Sequence, residues 1–294
     1  MSAIDLVIPA RPRDIGGFAV RRSIPSVQRR AIGPFVFLDH MGPKDLAPGE
    51  GMDVRPHPHI ELATVTYLFE GEIDHKDSLG SSQTIRPGDV NWMLAGTGIV
   101  HSERTGEAAR SRGSRMHGIQ SWVALPTAHE LDAPRFDHHP AATIPRVERD
   151  GATLEIVAGE SYGARSPVRV LSPTLYVHAR LERGARLAID DAHEARAVYV
   201  VEGAVACEGE ALGSGMLAVL HAGATVAIVA EETSRVMLVG GARLDGERHI
   251  DWNFVSSSKE RIEKAKADWR AQNDRFAKVP GDDREYVPLP ESTH

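Results

Sequence analysis

The sequence predicts an all-β protein made of two tandem β-domains of one type, with a helix near its C-terminus. Three observations predict it. Glycine (27) and proline (18) recur between short runs rich in Val, Ile, Leu and Tyr, which is the punctuation of a sandwich or barrel rather than of parallel βαβ units. The segment Tyr67-Leu68-Phe69-Glu70-Gly71 returns as Tyr199-Val200-Val201-Glu202-Gly203, and Gly88 and Gly96 are spaced as Gly215 and Gly223 are. Such self-similarity marks a repeated unit. Only one stretch, after Ser257, carries a helical stripe.

The elements follow in order. Phe35-Val36-Phe37-Leu38 comes after Gly33-Pro34 and reads as a strand, as do Ala63 to Phe69 and Ala197 to Val201. The first domain is expected to close after Trp122-Val123-Ala124-Leu125-Pro126, in the polar stretch 127–145. This gives domains at 1–135 and 136–294. Towards the end, Ser257 and Glu260 have capping-box spacing, and Ile262, Ala265, Trp269 and Phe276 lie on one apolar stripe. Pro280-Gly281 would stop the helix. It is therefore expected at about 258–278, packed on a sheet.

Composition narrows the function classes. The 294 residues suit two domains that each bury a core unaided. A hydrophobic content of 41% and a charged content of 26% are those of an ordinary globular chain. The longest nearly apolar run, Met216 to Ala230, contains His221 and is too short to span a bilayer. The start lacks the basic and apolar regions of a secretory signal. One cysteine, Cys207, fits a reducing cytoplasm. The net charge of −7 argues against direct nucleic-acid binding. No nucleophile elbow, P-loop or dinucleotide fingerprint is present.

The chemistry gathers in the first copy of the repeat. His57-Pro58-His59 is followed about 40 residues on by His101-Ser102-Glu103. Residues two apart on a strand share a face, so His57 pairs in direction with His59, and His101 with Glu103. If these strands are neighbours, three imidazoles and a carboxylate converge, a donor set for Fe, Ni, Cu, Mn or Zn. The same spacing is met by histidines that are simply satisfied by hydrogen bonds.

The segment from His57 to Glu103, HPHIELATVTYLFEGEIDHKDSLGSSQTIRPGDVNWMLAGTGIVHSE, resembles the signature region of pirins, a family of the cupin superfamily. Arg30 to Pro43, Gly118 to Pro126 and the terminal helix ending in Arg275-Phe276 extend the resemblance over nearly the whole chain. It implies two cupin (double-stranded β-helix, jelly-roll) barrels: a metal-binding one at the N-terminus and a metal-free one at the C-terminus that ends in the helix. It implies one metal, generally iron, on His57, His59, His101 and Glu103. The glutamate that the general cupin pattern would put near Thr64 is absent, and Glu103 supplies the carboxylate.

The same resemblance carries two functional readings. The first is a dioxygenase of the quercetin 2,3-dioxygenase type, acting with dioxygen on a flavonol or a related enolisable aromatic. Its substrate hydroxyl would be acidified at the metal, Glu103 would be the general base, and the heterocycle would open with loss of carbon monoxide. The second is a non-enzymatic, iron- and redox-dependent regulator that binds a protein partner. Glu61, Trp92, Met93 and Gln120 are candidates for the substrate pocket, and His75 for a supporting role. His75 and Asp77 could equally sit on a solvated turn at a strand edge, and His40 is expected to pin a loop. Arg11, Arg13, Arg21 and Arg22 could form a basic rim. A monomer is expected.

In the second copy, an offset of 132 residues puts Ile189 at the place of His57 and Asp191 at that of His59. An offset of 127 puts Ile228 and Ala230 at the places of His101 and Glu103. An apolar plug is expected there.

Overall fold

A computed structural model describes residues 2–15 and 17–290. The chain divides into two units, and neither is contiguous in sequence. One holds residues 1–13, 20–40 and 139–243, and the other residues 14–19, 41–138 and 244–294. This differs from the expected division at 135/136. A strand near the N-terminus, Ile4–Pro9, pairs antiparallel with Met216–Leu220 and so completes a sheet of the later unit. The C-terminal helix belongs to the unit of the histidines. Backbone hydrogen bonding and apolar burial, not chain order, assign the two ends.

The unit with the histidines contains a sheet in the order Asp53–His59, Ile99–Arg104, Ile73–Asp77, Ser82–Ile85. Opposing strands run in the order Arg135–His139, Val90–Leu94, Leu62–Glu70, Ser114–Ala124, with the end of Phe35–Leu46 beyond them. The other unit repeats the first pattern strand for strand: Arg186–Ala188, Ala227–Ala230, Ala204–Cys207, Glu210–Gly213. Its larger sheet is centred on Ala195–Glu202 and Ser234–Gly241. The protein is thus all-β, with two cupin barrels and a C-terminal helix.

The repeat is physical as well as textual. Gly88 N–H donates to the Leu68 carbonyl, and Gly215 N–H to the Val200 carbonyl, which are the same bond at both offsets. Gly71 and Gly203 both have positive φ, 86° and 78°. A Cβ on either would sit 2.5 Å and 2.7 Å from the carbonyls of Arg115 and Thr233, so only glycine fits both turns.

The helix is shorter than expected, running Lys259–Ala271. Its N-cap is Ser258, whose hydroxyl accepts from the Arg261 N–H; Ser257 is drawn off to Glu130. Gln272 ends it in the left-handed conformation, with its N–H turned back to the Asp268 and Trp269 carbonyls. Pro280-Gly281 therefore lies well beyond the stop, and Phe276 joins the apolar stripe from a turn. A second, short helix, Glu107–Arg112, was not expected. Among the described residues, no helix is long and apolar enough to cross a membrane.

Candidate metal centre

Strands Asp53–His59 and Ile99–Arg104 are neighbours, and their register sets His101 directly opposite His57. The ring centroids of His57, His59 and His101 lie 4.3 to 5.1 Å apart. One nitrogen from each falls within 4.8 Å of the other two. All three side chains are buried.

Their tautomers follow from the hydrogen bonds. His57 Nδ1 lies 2.9 Å from the Arg55 carbonyl, and His59 Nδ1 lies 2.9 Å from the Asn253 carbonyl. A carbonyl only accepts, so Nδ1 carries the proton and Nε2 keeps its lone pair. Burial lowers the His57 pKa to about 4, and it lowers those of His59 and His101 well below the ordinary value; neighbouring imidazoles add to the lowering. The rings are neutral at pH 7. Neither ring nitrogen of His101 has a hydrogen-bond partner among the described residues. A fully buried imidazole with nothing to bond is costly unless something else takes its lone pair.

Glu103 stands apart from the tight group of three. An irregularity in the strand pairing between His101 and Glu103 sets Glu103 opposite Val54 on one side and His75 on the other. Its Oε1 lies 3.0 Å from the Thr66 hydroxyl, which lies 2.8 Å from Gln120 Oε1. Burial raises the carboxyl's pKa, opposed by the nearby His75 and by Thr66. His75 is not on a solvated turn. It is buried on an interior strand, bonds Asp77 at 3.1 Å, and stacks on Phe136 with centroids 4.3 Å apart.

The remaining candidates sort by face. Thr66 is opposite both Asn91 and Gln120, and Thr64 is opposite both Met93 and Trp122. Cross-strand partners share a face, so Met93, Gln120 and Trp122 lie on the face that meets Glu103. The Trp122 ring is 5.1 Å from that of His59. Trp92, opposite Val65, points to the other face. Glu61 is not free for a substrate either. It is held at φ 57°, and its carboxylate takes two bonds from Arg261, at 2.8 and 3.0 Å.

No local pattern in the sequence signals the C-terminal clasp. Asn253 fixes His59 from 194 positions away. Phe254 bridges to Ile60, and Val287 N–H donates to the Pro56 carbonyl. Arg104, next to Glu103, is paired to Asp282. Ile262, Ala265 and Trp269 of the helix bury Ile60 and Val100, each the neighbour in sequence of a cluster histidine. In the other unit, Ile189, Ile228 and Ala230 are buried in one apolar cluster, although strand pairing sets Leu187, not Ile189, opposite Ile228. His193 bonds the Glu160 carbonyl, and His40 is buried on a strand with its Nδ1 2.8 Å from the Tyr199 hydroxyl.

Comparison with known proteins matches this architecture. The pirin family profile fits residues 17–123, and that of the pirin C-terminal cupin domain fits residues 176–277. A pirin-like protein of Caulobacter vibrioides is 50% identical over 98% of this chain and 100% of its own length. A crystal structure of quercetin 2,3-dioxygenase from Acinetobacter baumannii superposes with a TM-score of 0.91 at 33% identity, covering 98% of this chain and 95% of that one. A bacterial pirin from Escherichia coli, solved in complex with nickel(II), shares the fold at a TM-score of 0.64 and 19% identity, covering 81% and 99%. With two cupin barrels, the buried imidazole cluster in the first and relatives matched along nearly their whole length, the chain belongs to the pirin family.

Proposed function

We propose that the protein is a metal-dependent dioxygenase acting on a flavonol such as quercetin or a related enolisable aromatic, with His57, His59, His101 and Glu103 holding one divalent transition ion. Iron is the first choice, and nickel, copper, manganese and zinc suit the same donors. The observation that carries the reading is His101, buried with both ring nitrogens unpartnered among the described residues, beside two imidazoles whose Nε2 lone pairs are free. The likeness to a quercetin 2,3-dioxygenase at 33% identity supports the reaction class. The lone buried Cys207 fits a cytoplasmic setting.

A bound ion would supply Lewis acidity toward an enol hydroxyl and a redox partner for dioxygen. The protein supplies the proton acceptor. Glu103, with its carboxyl pKa raised by burial, is a stronger base than an exposed glutamate. Thr66 and Gln120 keep it satisfied in both states. When Glu103 is ionised, the Thr66 hydroxyl donates its one hydrogen to it. When Glu103 has taken the substrate's proton, it donates to Thr66, which donates to Gln120 Oε1. Met93 and Trp122 offer the apolar and aromatic wall that a flat ring requires.

The experiment is anaerobic purification with metal analysis, followed by oxygen uptake against quercetin and other enolisable aromatics. Substrate-dependent uptake that scales with metal content is expected. One equivalent of metal without turnover, together with a partner protein bound in one redox state only, would give the site to a regulator instead.

A further inference from the structure

Well away in sequence from the histidines, the unit of residues 1–13, 20–40 and 139–243 carries a cleft of about 500 Å³, lined by Pro9, Arg11, Arg13, Arg22, Pro25 and Arg30 with Ser23, Ser26 and Val27. Four guanidinium groups meet in it, and among the described residues no carboxylate lines it. Arg11 and Arg13 are two apart on the strand Arg11–Asp14, so they project from one face. Arg22 stands on the adjacent strand Ala19–Ile24.

The four are not equivalent. Arg22 is tied bidentately to the buried Asp39, with both bonds 2.8 Å, and lies 4.2 Å over the Phe37 ring. It is a fixed wall, and its charge is answered. Arg11, Arg13 and Arg30 have no ion pair among the described residues, although Asp39, already bonded to Arg22, also feels the charge of Arg13, and the cleft stays cationic in a chain of net charge −7. Their neighbours behave otherwise, since Arg29 is paired to Asp5, and Arg21 contacts His40 and Ser214. Guanidinium stays charged at any working pH, and its planar fork suits phosphate oxygens. Like charges that share a cleft repel one another, and a multiply charged anion reverses that cost. The remaining wall, Pro9, Pro25 and a Val27 that is 93% exposed, is apolar. The volume lies in the range of small-ligand sites.

We propose that this cleft binds a small phosphorylated molecule carrying at least two negative charges, its phosphates on Arg11, Arg13 and Arg30 and its organic part against Pro25 and Val27. The site is independent of the imidazole cluster.

Titration calorimetry of the full chain with inorganic pyrophosphate tests it. One saturable site with a Kd below about 1 mM at low ionic strength is expected. The Arg11→Ala, Arg13→Ala double variant and the Arg30→Ala variant should each weaken it by about tenfold or more. All three arginines are exposed, so the variants should keep the wild-type unfolding midpoint and metal content. Arg146→Ala, which removes an exposed arginine already paired to Glu148, should bind like the wild type. Arg11→Lys, Arg13→Lys should recover part of the affinity, because charge returns without the fork. No saturable binding at 10 mM or so, or equal binding by all variants, would overturn the proposal. So would binding confined to anionic lipid vesicles, with none to pyrophosphate.

Discussion

Glu103 is the residue on which the proposed chemistry turns, and its surroundings separate two roles. As a metal donor it contributes one oxygen; as a base it must also take a proton. Glu103→Gln keeps the size and one oxygen donor but loses the proton acceptor. Turnover is expected to fall by about 10²–10⁴-fold, the usual worth of a general base, while metal occupancy falls much less. Oxygen uptake and metal analysis on the same preparation check this, and unchanged turnover would move the base elsewhere. The imidazoles behave differently. His101→Ala removes a nitrogen that has no hydrogen-bond partner to lose among the described residues, so its effect should appear in metal content.

At the scale of elements, the C-terminal segment is the part with the most leverage on the centre. Arg261 lies between two buried carboxylates, Glu61 and Glu130, and Arg248 also pairs with Glu130 at 3.0 Å. Arg261→Met would leave Glu61, two residues beyond His59, as a buried charge without a cation. Breaking such a pair from one side costs about 3 kcal/mol or more. A lower urea midpoint is expected, together with metal affinity weaker by about tenfold, because the Asn253 carbonyl that holds His59 rides on the same segment. A wild-type midpoint and wild-type affinity would show the pair to be idle. The helix stripe was legible before its partners were: Ile262, Ala265 and Trp269 recur at helical spacing, and all three are buried. Its end comes earlier than the sequence predicts because Gln272 adopts a left-handed turn without the glycine that usually signals one.

Across the whole molecule, the two barrels share a strand order but differ in what fills them. The first gathers His57, His59 and His101, with His75 beside His101 and opposite Glu103; the second puts Ile189, Ile228, Ala230 and Cys207 into one apolar cluster. A transition ion in the second barrel would have aliphatic groups where it needs donors. One metal per chain is therefore expected, and anomalous scattering from a metal-soaked crystal reads it directly. A strong peak among residues 140–245, on His193 or His221, would show that the repeat had been aligned wrongly.

The sequence by itself determined the fold class, the repeat and the shared direction of His57 and His59, while the strand pairing brought His101 to them. Each of the first three depends on short-range periodicity: alternation on a strand, glycine at a forced turn, donors two positions apart. Tertiary structure alone decided which end of the chain joins which barrel, since Ile4–Pro9 finds its partner more than 200 positions away in Met216–Leu220. It also decided the surroundings of the cluster. Thr66 reaches Glu103 across 37 positions, and Asn253 reaches His59 across 194. Trp92 turned out to face away and Glu61 to belong to the helix, because each depends on which strand or helix packs opposite. A pattern of residues fixes the direction a side chain takes from its own strand, but what it meets there is supplied by segments distant in sequence, whose approach no local spacing encodes.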